Sequence, residues 1–215
     1  GGLAKSVSNV AASMPFGAET VFNAGSTHYP NVAYDPNNAN KFVAVYRDHG
    51  NSSYGTAIVG TISGTSITFD PSTAGTFVVA YKAVDNSGYG TAVVGIVSGN
   101  SISFGSKQVF NSGVTNFIKA AFDPSTAGRF VVVYRDATNS NQGKAALLTV
   151  SGSTISFIDT ETFHAASTLP EHIGFDPNTA GKFVVLYGDT SGSTSGTAIV
   201  GTVSGSGAGS SLSFG

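Results

Sequence analysis

The sequence predicts an all-β, antiparallel repeat protein, β-propeller-like, with about four blades of which one is incomplete. A β-sandwich or stacked-sheet repeat is the alternative. Three observations carry the prediction. A segment like Arg129-Phe-Val-Val-Val-Tyr134 recurs at Lys41–Tyr46, Thr76–Tyr81 and Lys182–Tyr187. An Asp-Pro precedes each copy, at Asp35-Pro36, Asp70-Pro71, Asp123-Pro124 and Asp176-Pro177. A second apolar segment follows each copy (Thr56–Gly60, Thr91–Gly95, Lys144–Leu148, Thr197–Gly201), and a short alternating one closes it (Ser66–Phe69, Ser101–Phe104, Thr154–Phe157, Ser211–Phe214). Such self-similarity marks units that cannot bury their apolar faces alone and must stack.

Each element has a local reason. An opening strand such as Val32–Tyr34 runs into the Asp-Pro, where Asp and Pro suit the first two positions of a type I turn. The residue before the next strand is Asn40, Gly75, Gly128 or Gly181. Asn and Gly accept the left-handed region cheaply, so a tight hairpin is expected. The strand that follows, Phe42–Tyr46 in the first unit, is apolar at consecutive positions. A strand with one wet face would alternate, so this pattern predicts cover on both faces. The closing strand Ser66-Ile-Thr-Phe69 does alternate and predicts one polar face. Buried inner strands beside a half-exposed outer strand suit sheets packed face to face.

The four prolines stand 35, 53 and 53 residues apart, so the first interval is 18 short of the period. After Phe104 and Phe157 the chain runs through stretches such as Gly105-Ser-Lys-Gln-Val-Phe110 before its next Phe-Asp-Pro. At Phe69-Asp70-Pro71 the closing strand and the next turn are fused, as an in-frame deletion would leave them. Residues 17–215 are expected to form a single repeat domain, with units near 17–69, 70–104, 105–157 and 158–215. Residues 1–16 read as an N-terminal extension or the remnant of a preceding repeat. Terminal repeats need a cap. None is evident around Phe214, so either the ring closes, the edge pairs with another subunit, or the chain was once longer.

Composition excludes several classes. Charged residues are 10%, against about 25% in an average globular chain, and the formal net charge is −2. Neither nucleic acid nor an anionic membrane surface is expected as partner. With no cysteine, disulfides and thiolate chemistry are excluded. No apolar run approaches the ~20 residues of a membrane span, so no membrane insertion is expected.

Little in the sequence points to catalysis. His28, His49, His164 and His172 fall at different phases of the repeat and lack metal-ligand spacing. No nucleophile elbow, phosphate loop or dinucleotide fingerprint stands in a suitable context. Asp35, Asp70, Asp123 and Asp176 share one phase, but turn chemistry accounts for an Asp before a Pro. The expectation is no enzyme, no cofactor and no metal.

The pair after each aromatic strand is Arg47-Asp48, Lys82-Ala83, Arg135-Asp136 or Gly188-Asp189. It leads into the most variable loops, His49–Tyr54, Val84–Tyr89, Ala137–Gln142 and Thr190–Ser195. These share one phase and are expected on one face, where scaffolds commonly place binding. Candidate ligand-binding residues are Arg47, Asp48, His49, Tyr54, Lys82, Asp85, Tyr89, Arg135, Asp136, Asn139 and Asp189. Their hydrogen-bonding groups and stacking faces suit neutral sugars. The competing reading is solvated hairpin loops with an Arg–Asp surface pair of little energetic worth.

The units, with Phe-Asp-Pro-Ser-Thr-Ala-Gly-Arg-Phe-Val-Val-Val-Tyr-Arg-Asp at 122–136 and Gly-Thr-Ala-Ile-Val-Gly-Thr-Val-Ser at 196–204, resemble repeats in predicted tail-fibre and surface proteins of marine phages and bacteria. The resemblance covers nearly the whole chain from Phe16 and carries over no functional residue. It implies an extracellular or virion-surface setting. Likeness to lectin propellers is architectural only, and the absence of Trp counts against sialidase-type propellers. A non-enzymatic structural or adhesion module is therefore expected, fibre-type or self-assembling, with other subunits of a surface assembly as partners. A glycan-binding, lectin-like propeller is the alternative.

Overall fold

The computed structural model describes residues 18–34, 40–50, 52, 54–63, 66–69, 75–98, 101–192 and 194–215. Strands account for 70% of the residues, the sheets are antiparallel, and one sheet curls into a half-barrel. The all-β class thus stands as the sequence predicts. Residues 1–16 and the turns at Asp35 and Asp70 lie outside the described residues.

Two compact units divide the chain, with the main boundary between Asp70 and Pro71. The first holds β1 (Thr27–Tyr34), β2 (Lys41–Asp48), β3 (Tyr54–Ser63) and β4 (Ser66–Phe69), paired in chain order. The second begins with β5 (Gly75–Ala83), β6 (Tyr89–Ser98), β7 (Ser101–Phe104), β8 (Gln108–Phe122) and β9 (Arg129–Asp136). It continues with β10 (Gln142–Ser151), β11 (Thr154–Phe175), β12 (Lys182–Asp189), β13 (Ser195–Ser204) and β14 (Ser211–Phe214). The order in that sheet is β14-β13-β12-β11-β10-β9-β8-β6-β5, with β7 on β6.

Among the described residues, the hairpin turns at Asp123 and Asp176 form for the predicted reasons. Asn40, Gly128 and Gly181 adopt φ of 64°, 73° and 69°. Asp123 and Asp176 accept the backbone N–H of Ser125 and Asn178 on Oδ1, both at 2.8 Å. Thr126 N–H donates to Asp123 O at 3.3 Å, closing the turn.

One feature differs from the four separate strands per unit that the sequence suggests. β8 pairs with β6 through Gln108–Val114 and with β9 through Thr115–Phe122. β11 likewise pairs with β10 through Thr154–Ser167 and with β12 through Thr168–Phe175. One strand closes a repeat and opens the next, and the expected unit boundary at 157/158 falls inside β11. The register shifts between Asn111 and Val114 and between His164 and Ser167 absorb the change of partner, as bulges do.

This explains the short interval. The 18 residues missing after Phe69 correspond to Gly105–Phe122, which is β8 with its lead-in. Without that strand Tyr54–Val59 of β3 pair with β2 alone among the described residues, and β5 is the edge of its sheet among them.

The core of the second unit lies on both faces of the β9–β10 hairpin. Phe130, Val132, Tyr134, Ala146 and Leu148 pack with Ala92, Val94, Phe110 and Ile155 on one face. Val131, Val133, Ala145 and Leu147 pack with Phe163, Ile173, Phe183, Val185 and Tyr187 on the other. Consecutive apolarity predicted cover on both faces, and here it holds. It does not hold at β12, where Val184 and Leu186 are exposed. The same motif is doubly buried only where a repeat lies on each side.

Candidate functional site

The loops named by the sequence sit at the hairpin ends of β2–β3, β5–β6, β9–β10 and β12–β13. In the second compact unit, backbone hydrogen bonds link them to the bulges of the long strands. Thr115 N–H donates to Gly88 O, Ala137 N–H to Val114 O, Thr168 N–H to Asn141 O, and Thr190 N–H to Ser167 O, at 2.8–3.1 Å. Three loops and two bulges thereby alternate along one continuous rim. In the first unit His49 N–H makes the equivalent bond to Ser26 O at 3.0 Å.

The repeated aspartates have a local task that sequence reasoning missed. Asp48, Asp136 and Asp189 each accept on Oδ1 the N–H two residues on, from Gly50, Thr138 and Ser191, at 2.9, 3.2 and 2.9 Å. These are Asx turns that shape the loop. The hydroxyl and N–H of Ser191, with His164 beside it, hold the Asp189 carboxyl below the usual carboxylate range. His164 Nε2 lies 3.3 Å from Asp189 Oδ1, an ion contact when the ring is protonated, though its alignment falls short of a firm hydrogen bond.

The basic candidates find partners other than the adjacent Asp. Arg135 stacks its guanidinium 4.4 Å above the Phe117 ring, while Asp136 pairs with Lys144 at 3.4 Å. Lys82 Nζ donates to Asn116 Oδ1 at 3.1 Å. Asp85 meets Lys107 at 3.2 Å in an exposed pair, and that hydrogen bond, with Tyr81 nearby, holds the Lys107 ammonium above its ordinary value. Asn139 and Arg47 are exposed, and Tyr89 is half-buried. The His49 ring stands 4.7 Å from that of His28. Tyr54 opens β3, and its side chain lies outside the described residues.

Phe117, Asn116, Lys107, Lys144 and His164 were therefore absent from the sequence-based set. Phe117 carries the strongest local signal, a φ of 51° matched by 53° at Tyr29, its counterpart in the first repeat. A bulky residue in the left-handed region is uncommon and must be held there. The rim can present an aromatic face, an Arg and several amide and hydroxyl groups. Among the described residues no three histidine or acidic side chains cluster as a metal site. No helix among them is long and apolar enough to cross a membrane.

No protein-family model, no curated protein and no solved structure matches the chain.

Proposed function

We propose that the chain is a non-enzymatic structural or adhesive module of an extracellular or virion surface, of the fibre or self-assembling kind. The observation that carries this reading is the shared strand. β8 and β11 each close one repeat and open the next, so the core runs through successive repeats and length is made by adding units. The rim adds support: Asp136, Asp189, Lys82 and Arg135 are committed to neighbours that shape loops. Light scattering and a surface-binding assay on one preparation test the reading. Assembly beyond the 21.7 kDa monomer, or retention on cell or particle surfaces, is expected. A monomer that binds no surface overturns it.

A glycan-binding rim is the second reading. Exposed Phe117 capped by Arg135 offers the stacking face that sugars use, and exposed Asn139, in the loop that follows Arg135, offers an amide. A glycan array checks it: Phe117→Ala should abolish any signal seen with the parent chain, and an array silent for both ends the idea.

A further inference from the structure

We propose that the free edge and exposed face of β13 form a docking site for the first repeat of a second copy of this chain, so that copies add head to tail. The inference rests on the structural reading above and names its contact.

The junction it requires already occurs twice within the chain. At one, Tyr89–Ala92 of β6 pair with the arriving segment Gln108–Val114. At the other, Gln142–Leu147 of β10 pair with Asp159–Ser167 of β11. Phe110 and Phe163 of the arriving strands fill the space where Gly90 and Gly143 would carry a Cβ. β13 has the same sequence form, Ser-Gly-Thr-Ala-Ile-Val-Gly. Yet β14 covers only Gly201–Ser204, and among the described residues Ser195–Ile199 have no ladder partner on that side. Gly196, the counterpart of Gly90 and Gly143, faces open space.

The adjoining sheet face shows the same vacancy. Val131, Val133, Ala145 and Leu147 are all 0% exposed beneath the fourth repeat. Their counterparts Val184, Leu186 and Val200 are 41%, 46% and 49% exposed, and Ala198 is exposed as well. Free edges of this apolarity recruit strands.

The opening segment of the first repeat matches the missing occupant. Phe22 packs 5.0 Å from Tyr46, as Phe110 does on Tyr134 at 5.2 Å and Phe163 on Tyr187 at 5.3 Å. Asn23 Nδ2 donates to Thr27 Oγ1 at 2.9 Å, as Asn111 does to Thr115 at 2.9 Å. The segment is thus already shaped like the arriving strands. Ala18–Ser26 nevertheless form no strand, and Val21 is 76% exposed. A contact between two different surfaces does not close on itself as a two-fold pair, so addition can continue.

The internal junctions also set the register. Thr91 opposite Val109 and Gly90 opposite Asn111 place Thr197 opposite Val21 and Gly196 opposite Asn23 of the second copy. Because the chain has no cysteine, Thr197→Cys and Val21→Cys chains can be mixed, oxidised and run without reductant. Mixed-disulfide dimers should outnumber both homodimers several-fold. Predominant homodimers of Thr197→Cys would mean edge-to-edge pairing and overturn the proposal. A chain carrying both cysteines that closes on itself as a monomer would overturn it too. In a second measurement, Val21→Pro and the pair Leu186→Glu with Val200→Lys should each leave a folded monomer by light scattering and circular dichroism, and mixing the two should restore a 1:1 dimer. A parent chain that stays monomeric but binds surfaces would end this inference and leave the adhesive reading standing.

Discussion

The ring of Phe183 stands over Gly201, its cross-strand partner, and fills the space that a Cβ there would need. Phe42 over Gly60 and Phe77 over Gly95 repeat the relationship. The third repeat departs from it, with Leu148 opposite Phe130. Glycine in a strand interior weakens the strand unless something needs the room, and here an aromatic ring does.

Gly201→Ala should therefore destabilise the second unit. The added methyl meets a ring buried between β12 and the hairpin β9–β10. Overpacking of a well-packed core costs about 1–3 kcal/mol, read as a lower midpoint in urea. An unchanged midpoint would mean that Phe183 swings aside freely.

Asp123 and Arg129 form a buried pair, with Arg129 Nε and Nη2 donating to Asp123 Oδ2 at 2.8 and 2.6 Å. Burial alone would push the Asp123 carboxyl up. Hydrogen bonds from the Ser125 hydroxyl and N–H and from Arg129 outweigh it and hold the carboxyl below its usual range. A carboxyl held low in the folded state contributes stability that is complete above its unfolded value of about 3.9. That contribution drains away as the pH falls through the lower, folded value. Arg129→Met strands the carboxylate and should cost about 3–5 kcal/mol at neutral pH, and the cost should shrink in acid. Urea titrations at neutral pH and below about pH 4 check this. A cost independent of pH would show that lost packing, including the Arg129 bond to Gly205 O, is the whole effect.

Burial pushes the Tyr134 phenol up to about 12, against the lowering effect of a hydrogen bond with Thr160. The neutral form is favoured in the folded state, so its contribution is complete below the unfolded value of about 10. It is lost as the pH rises through the folded value. Ultraviolet titration should show one tyrosine ionising near the upper value or only on unfolding, and Tyr134→Phe should remove it. If the parent chain ionises all its tyrosines near pH 10, the burial is refuted.

The repeat, the hairpins and the loop phase are legible in the sequence because each rests on local chemistry: an Asp-Pro turn, an Asn or Gly at positive φ, a five-residue apolar run. Burial is not local. Val131 and Val184 occupy one position of one motif, and only the neighbouring repeat makes the first inaccessible and leaves the second exposed. The same limit applies at the rim. Arg135 and Phe117 meet because β8 lies beside β9, a pairing 18 residues apart in sequence that no spacing rule announces. The strand β11 was hidden for another reason. Its bulges break the alternation that would have marked Thr154–Phe175 as continuous.

The shortened interval makes its own prediction. Copying Gly105–Phe122 between Phe69 and Asp70 restores the 53-residue spacing and supplies a strand of the kind that β6 and β9 share. Both flanking edges are prepared for it. Among the described residues β4 covers only Gly60–Ser63 of β3, Gly55 has open space where Gly90 receives Phe110, and β5 ends its sheet. Each new ladder bond contributes only about 0.5–1.5 kcal/mol net, but the strand would add many and carry its own Phe into the glycine slot. The backbone amides of Tyr54–Val59 and Gly75–Ala83 that point away from β2 and β6 should become strongly protected from hydrogen exchange. Calorimetry should show one cooperative transition for the extended chain and two for the parent chain, with its two compact units. If the inserted copy loops out, exchange at those amides stays fast and the two transitions persist, and the short interval is then a length the fold prefers rather than a lost strand.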